Sequence, residues 1–293
     1  MCHKSLEARP RSLVKDGDCR LSIDFLIKEE PLDLLMESPE TEDPVRSLCM
    51  LMRTPGADRE LALGFLFTEG ILRSRREVLQ ARVEVQGEHR VIISSREGYE
   101  RSKARTSSGF PINSGCGLCS SISQSTTPPV RRVHQSSQRV FYEEEILLSL
   151  PRKMKNSQKL FHQSGGVHAS ALFSATGELI SLFEDVGRHN ALDKLIGHSI
   201  LSNENQMERG ILLLSGRVSF DLIQKASQAD IPVVAAMGAP SNSAAQAANE
   251  AGITLVGFLK NQGFNIYSGW ERIRPEKSLP LLKKGTHPQV YQK

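Results

Sequence analysis

Residues 211–258 read ILLLSGRVSFDLIQKASQADIPVVAAMGAPSNSAAQAANEAGITLVGF, and this stretch decides the fold. Three short apolar runs, Ile211–Leu214, Pro232–Met237 and Thr254–Phe258, alternate with two segments of helical periodicity, Phe220–Gln228 and Ala244–Ala251. Strands without polar alternation are buried on both faces, and their interleaving with helices is the pattern of a parallel sheet covered by helices. The fold class of this half is therefore α/β. Two loops lead from strand to helix, Ser215-Gly216-Arg217-Val218-Ser219 and Gly238-Ala239-Pro240-Ser241-Asn242-Ser243. Ligands of open α/β sheets bind beyond the carboxyl ends of the strands, and helix N-termini favour anions. Ser215, Ser241 and the adjacent Arg217 thus outline a phosphate pocket, although Ser219 and Ser241 also serve as plain helix caps. Neither loop matches a P-loop or a GxGxxG fingerprint, which argues against a generic NTPase or dehydrogenase.

Upstream, Val167–Ser174 and Glu178–Phe183 form a hairpin about Thr176-Gly177, and a helix over Asn190–Ser202 carries Leu192, Leu195, Ile196 and Ile200 on one face. Between them lies FEDVGRHNALDK, residues 183–194. Asp185, Arg188, His189, Asn190, Asp193 and Lys194 crowd one strand–helix junction. Part of this has a plainer reading, with Asp185 or Asn190 as a cap and Asp193 and Lys194 solvated. Six such groups exceed what capping needs, and they read as a binding or catalytic cluster. His168, in an apolar strand, reads as a hydrogen-bonded core histidine. A further helix is expected over Arg152–His162, opened by Pro151 and closed by Gly165-Gly166.

The first half is α+β. Residues 1–20 read as a flexible leader, followed by strands at Leu21–Ile27 and Ser47–Met52, a turn at Thr54-Pro55-Gly56 and a helix over Arg59–Glu69. Arg82–Gln86 and Arg90–Ser94 read as a hairpin around Gly87. Together, residues 21–97 make a smaller β-rich domain and residues 139–268 a ligand-binding one, with residues 269–293 a polar tail. The stretch 98–138 between the domains is rich in Ser, Thr, Gly, Pro and Arg and reads as a mobile loop.

The chain has 293 residues and a composition suited to a large core: 39% apolar, 24% charged, with a formal net charge of +4. That charge is too small and too dispersed to imply nucleic acid. No apolar run has the roughly 20 residues needed to span a bilayer, so membrane insertion is not expected. The polar start has no secretory character, so a cytoplasmic location, where thiols stay reduced, is expected. Five cysteines do not suggest a disulfide framework. Cys49, in SLCMLM, reads as a small buried hydrophobe.

Cys116 and Cys119 are the one close pair, in Gly115-Cys116-Gly117-Leu118-Cys119-Ser120. Two thiols three residues apart can reach one another and can lower the pKa of one of them. The flanking glycines allow the backbone to present a sulfur to a partner. A structural zinc site normally needs four ligands, and no second CxxC is present, so no permanent metal is expected. A thioredoxin-like redox pair and a persulfide carrier remain equally compatible with the spacing.

These segments together resemble the FdhD family of formate dehydrogenase accessory sulfurtransferases. The likeness rests on RTPG at 53–56, ELALGFL at 60–66, EGI at 69–71, CGLC at 116–119 and GGVHA at 165–169. It continues through EDVGRHNALDKLIG at 184–197, SGRVS at 215–219, IPVVAAMGAPS at 231–241 and GITLVGF at 252–258. The resemblance implies a carrier that takes persulfide sulfur from a cysteine desulfurase. It then passes that sulfur to a molybdenum (or tungsten) bis-guanine-dinucleotide cofactor destined for the catalytic subunit of formate dehydrogenase. By position, Cys116 would hold the persulfide and Cys119 would assist. Phe258, Leu259, Lys260, Asn261, Gln262 and Gly263 match the family's cofactor-binding stretch, with Ser215, Arg217, Ser241, Arg188 and His189 as its expected neighbours. GDP should bind as an analogue. The resemblance also implies a cytidine-deaminase-like C-terminal half, without the HxE and PCxxC zinc signature of deaminases, and a homodimer with two nucleotide sites. Two positions depart from the pattern. Ser120 replaces a glycine, and Lys260 replaces an arginine, exchanging a bidentate phosphate contact for a single-point one. A cofactor-binding scaffold without sulfur transfer and a thiol–disulfide oxidoreductase are the competing functions.

Overall fold

The computed structural model describes residues 4–40, 45–87, 89–106, 129–133, 140–202 and 206–274. Cys116 and Cys119, and most of the 98–138 stretch, lie outside the described residues. The chain opens with two long strands, β1 (Leu6–Lys15) and β2 (Asp18–Ile27), followed by β3 (Glu30–Glu37) and β4 (Arg46–Arg53). Then come α1 (Asp58–Thr68), α2 (Arg75–Gln80), β5 (Arg82–Gln86), β6 (Arg90–Ser94) and α3 (Arg96–Thr106). Strands β3 to β6 form a mixed sheet in the order β4-β3-β6-β5, with β3 and β6 parallel.

The remainder comprises β7 (Tyr142–Glu143), α4 (Glu144–Ser157), α5 (Lys159–Ser164), β8 (His168–Phe173), β9 (Leu179–Asp185) and α6 (Arg188–Leu201). It continues with β10 (Ile211–Leu214), α7 (Phe220–Gln228), β11 (Val233–Ala236), α8 (Asn242–Ala251), β12 (Thr254–Lys260), β13 (Gly263–Ser268) and β14 (Ile273–Arg274). Six of these strands make one sheet, ordered β13-β12-β11-β10-β8-β9. The three strands of the opening motif, β10, β11 and β12, run parallel at its centre, and antiparallel strands flank them. The α/β reading of this half holds, with the sheet mixed at both sides.

Both faces of the sheet are covered. Leu147, Leu150 and Met154 of α4 pack on Ile211, Leu213, Val233, Ala235 and Val256 on one face. On the other, Leu212, Leu214, Val234 and Leu255 meet α6, α7 and α8. That second core continues without interruption into α1 and the four-stranded sheet, through Leu61, Leu66, Leu34 and Ile93. The join is the crossing of α1 and α6, which approach backbone to backbone at Gly64 and Gly197. A Cβ at Gly64 would lie 1.9 Å from the Asp193 carbonyl oxygen, and one at Gly197 2.0 Å from that of Glu60.

Several expectations change. The segment read as a loose leader is, from Leu6 onward, the first strand and the start of the second in a ten-residue-pair hairpin. Its two-residue turn, Asp16-Gly17, has φ of 54° and 89°, the left-handed pair favoured in tight hairpins. Pro151 does not open a helix but sits inside α4. The acidic first turn at Glu144 and Glu145, with the apolar stripe of Leu147, Leu150 and Met154, sets the helix start seven residues before Pro151, and the chain restarts as α5. The expected structureless stretch begins instead with α3, held by buried Tyr99 and by an ion pair between Arg101 and Glu77. Residues 273–274, placed by the sequence in a polar tail, form β14, which pairs with β7. Among the described residues, no helix is long and apolar enough to cross a membrane.

Candidate functional site

The FEDVGRHNALDK cluster separates into two buried networks and one open corner. In the first network, Asp185 ends β9 and is fully buried. Its carboxylate accepts from the Gly187 amide at 2.8 Å, from Asn190 Nδ2 at 3.1 Å and from the Thr54 amide at 3.1 Å, and it pairs with Lys194 Nζ at 2.6 Å. Lys194 also donates to the Thr54 carbonyl at 2.8 Å, Asn190 to the Met52 carbonyl at 2.8 Å, and the Val186 amide to Thr54 Oγ1 at 3.0 Å. Every group in this set has partners, as buried charges require. Its work is to clamp the Arg53-Thr54-Pro55-Gly56 segment onto the six-stranded half. Arg53 stiffens that segment by gripping Asp58 with Nε at 2.9 Å and Nη2 at 3.0 Å.

The second network centres on Lys225 of α7. Its Nζ donates to both oxygens of Asp193, at 3.0 and 2.9 Å, to Thr68 Oγ1 at 2.8 Å and to Glu69 Oε1 at 3.3 Å. Burial opposes the Lys225 charge, but the Asp193 and Glu69 carboxylates outweigh it and hold the ammonium above its ordinary range. Asp193 and Lys194 are therefore not solvated, and neither is free to act on a ligand.

The open corner lies along one edge of the sheet, where five chain segments meet. They are the start of β8 at His168, the end of β9, and the loops after β10, β11 and β12. The loops are stitched together by the backbone. Gly238 donates to the Gly216 carbonyl at 3.1 Å, Phe258 to that of Gly238 at 3.0 Å, Ser241 to that of Val218 at 2.9 Å, and Val218 to that of Ala239 at 3.0 Å. Gly238 is required there, because a Cβ would come within 2.7 Å of the Gly216 oxygen. Phe258 holds a positive φ of 53°, an uncommon conformation for a non-glycine residue and one concentrated at functional loops.

Among the described residues, three buried polar atoms in this corner have no hydrogen-bond partner: Arg188 Nε, His189 Nε2 and Ser219 Oγ. Arg188 and His189 open α6, and Ser219 precedes α7 without capping it through its side chain. His189 Nε2 lies 3.9 Å from Asp221 Oδ2, too far for a hydrogen bond. Burial, then Lys225 and Arg188, push the His189 imidazole down to about 3, so it is neutral near pH 7. His168 is lowered as well, by burial and by Arg188 and Arg217. It is half-buried beside Gly216, with Nδ1 3.2 Å from where a Cβ there would stand, which makes it part of the corner rather than of the core. An arginine, a neutral imidazole and a hydroxyl can donate to phosphate oxygens, with the Asp221 carboxylate beside His189 as a competing acceptor.

The other expected residues are placed as follows. Ser215 Oγ accepts from the Ala169 amide at 2.9 Å, and Ser241 Oγ caps α8 by accepting from the Ala244 amide at 3.1 Å. Both hydroxyls hold the loops rather than stand open. Arg217 is exposed on the loop after β10. Phe258 to Gly263 form the β12–β13 hairpin, with Lys260, Asn261 and Gln262 exposed at its turn, while the Leu259 side chain is in the core beside α4. Leu259 can thus offer a ligand only its backbone. Sequence reasoning missed Ser219's open hydroxyl, Thr54 and Lys225. A lysine between Leu222, Ile223 and Ala226 on the apolar face of a helix was the available signal for the last. Cys49 is buried, and burial pushes its thiol well up, so it serves packing.

The depressed His189 value fixes a pH dependence. An unfolded histidine titrates near 6.5, so between about 6.5 and 3 the unfolded chain binds a proton that the folded one does not, and stability falls as the pH drops through that window. Melting temperature followed from pH 7 to 4 should fall less in His189→Gln than in the unaltered chain. Equal slopes would remove His189 as a source of acid sensitivity.

The pattern of the FdhD/NarQ family matches residues 27–274. The Sulfur carrier protein FdhD of Sulfolobus acidocaldarius is 38% identical over 262 residues, covering 89% of this chain and 96% of the relative. That of Streptomyces avermitilis is 39% identical over 289 residues, covering 91% and 95%. Among solved structures, a Desulfotalea psychrophila protein assigned as a formate dehydrogenase accessory protein superposes with a TM-score of 0.71 at 21% identity, covering 92% of this chain and 99% of that one.

Proposed function

The chain belongs to the FdhD/NarQ family, and on that premise we propose that it is a sulfur carrier serving formate dehydrogenase. It accepts sulfur from a cysteine desulfurase and transfers it to a molybdenum or tungsten bis-guanine-dinucleotide cofactor held at the sheet edge. The same reading takes the six-stranded half as cytidine-deaminase-like, the assembly as a homodimer and the compartment as the cytoplasm. The observation that carries it is the trio of buried polar atoms left without a partner among the described residues, Arg188 Nε, His189 Nε2 and Ser219 Oγ, beyond the carboxyl ends of parallel strands. Such an edge is where an α/β sheet takes a nucleotide, and unpaired buried donors are costly until an acceptor fills them.

In this account the Cys116 thiolate attacks the outer sulfur of the donor's persulfide. The donor's S–S bond breaks, its cysteine leaves as a thiolate, and Cys116 keeps the sulfur as a persulfide. At delivery the Cys119 thiolate attacks the Cys116 sulfur and expels hydrosulfide to the acceptor. The Cys116–Cys119 disulfide left behind is reopened by a dithiol reductant. Arg188, His189 and Ser219 orient the nucleotide phosphates. Arg217, and Lys260 as a single-point cation, add charge at the rim.

Calorimetric titration with GDP tests the site. Binding is expected, and Arg188→Ala and Arg217→Ala should each weaken it about tenfold or more, as the loss of a charge-assisted hydrogen bond of about 1.5–3 kcal/mol requires. Lys260→Ala should have a smaller effect. Unchanged affinity in both arginine variants would remove the phosphates from this edge.

A further inference from the structure

The β1–β2 ribbon takes no part in the site, yet its side chains are sorted with care. Directly opposed residues of an antiparallel pair share a face. One face therefore carries Leu6, Ala8, Pro10, Ser12 and Val14 opposite Ile27, Phe25, Ile23, Leu21 and Cys19. It holds no charge. The reverse face carries Glu7, Arg9, Arg11, Lys15, Asp18, Arg20 and Asp24, together with Leu13 and Leu26. At its base the apolar face is anchored, because Leu6 and Ile27 pack with Leu160 of α5 and Val167. Beyond the base it is open: Val14 is 71% exposed, Leu21 86%, Ile23 69% and Phe25 44%.

An isolated two-stranded ribbon is marginal in water, and a contiguous exposed apolar face of this kind marks a contact surface. We infer that this face is where a second copy of the chain docks, ribbon against ribbon about a two-fold axis, which gives the two-copy arrangement proposed above its contact surface. Two features select a second copy over another macromolecule. Six of the seven reverse-face charges are already paired among themselves, Arg9 with Glu7 at 2.7 Å, Arg11 with Asp24 at 2.7 Å and Arg20 with Asp18 at 3.6 Å, and the seventh, Lys15, stands opposite Asp18 in the register. The ribbon therefore presents no net field to steer an acidic or basic partner, whereas a charge-free strip complements itself, as an isologous contact demands. The extent also fits. Burying a Val, Leu, Ile or Phe side chain removes on the order of 100 Å² apiece. With Ala8, Pro10 and Ser12 between them, two such faces together approach the roughly 1,000 Å² of a specific interface.

Sedimentation velocity on the full chain over a range of concentrations tests this. The unaltered protein should be a dimer. The double variant Leu21→Lys/Ile23→Lys should sediment as a monomer where the unaltered chain is dimeric, with association weakened at least 100-fold, while Arg9→Gln on the reverse face stays dimeric. Val14→Lys, at the ribbon tip and away from any core, reads the same surface should the double variant misfold. If the double variant and Val14→Lys dimerise as the unaltered chain does, the ribbon is not the contact and the two-copy reading stands on another surface. If the unaltered protein is monomeric throughout, including the case where it associates only once a cysteine desulfurase is added, both readings fall. Persulfide loading of Cys116, followed in parallel, reports on sulfur acceptance independently of either result.

Discussion

Replacing Gly64 by alanine is expected to destabilise the protein by at least about 3 kcal/mol, a large part of the 5–15 kcal/mol that holds an ordinary domain folded. The added methyl would stand 1.9 Å from the Asp193 carbonyl oxygen and 2.9 Å from the Gly197 amide nitrogen. Both are backbone atoms, so no rotamer change can make room, and α1 and α6 must separate. That crossing joins the four-stranded sheet to the six-stranded one. On either side of it run the Asp185–Lys194–Thr54 clamp and the Lys225–Asp193–Thr68 network, whose hydrogen bonds of 2.6 to 3.1 Å cannot survive a displacement of an ångström or more. Asp193 belongs to both the crossing and the Lys225 network, so the damage is transmitted directly from packing to buried charge. Urea unfolding measures the effect. Gly263→Ala, where a Cβ meets nothing within 4 Å and φ is not positive, should stay within about 0.5 kcal/mol and serves as the control. A Gly64→Ala protein of normal stability would show that the two sheets are not rigidly coupled through this crossing.

The parallel core was legible because its strands are pure apolar runs. Ile211–Leu214 and Phe220–Gln228 fall where their composition places them. Elements with mixed signals were harder. The ribbon's apolar face is diluted in the linear sequence by a charge at nearly every second position of LEARPRSLVK, and the alternation becomes clear only once the Asp16-Gly17 turn is given its hairpin role. β3 begins Glu-Pro, and a proline demotes a strand on sequence grounds. Here Pro31 is the second residue of a strand whose Leu32, Leu34 and Met36 are wholly buried. α3 has almost no apolar content besides Tyr99 and is held by its partners rather than by its pattern.

The site divides in the same way. That EDVGRHNALDK is chemically dense was plain from the sequence. Which of its groups serve structure depends on partners far along the chain: Thr54 lies 131 positions from Asp185, and Lys225 32 from Asp193. No local pattern encodes such distances. Only with those partners in place are Arg188 and His189 left over, and what is left over in a buried polar cluster is what a ligand can use. Ser215 and Ser241 show the converse, since side chains of the right type in the right loops are taken up by the backbone around them.

The central claim is that sulfur travels on Cys116, and the cargo itself is the most direct witness. The purified chain is incubated with a cysteine desulfurase and cysteine, and its intact mass is then measured. The account predicts addition of one sulfur, complete loss of that addition in Cys116→Ala, and its retention in Cys119→Ala, where acceptance is intact and only delivery is impaired. No addition to the unaltered chain, with GDP binding preserved, would contradict the account and leave a cofactor-binding scaffold. Loss of two hydrogens instead of a gain of sulfur would contradict it in favour of a thiol–disulfide oxidoreductase.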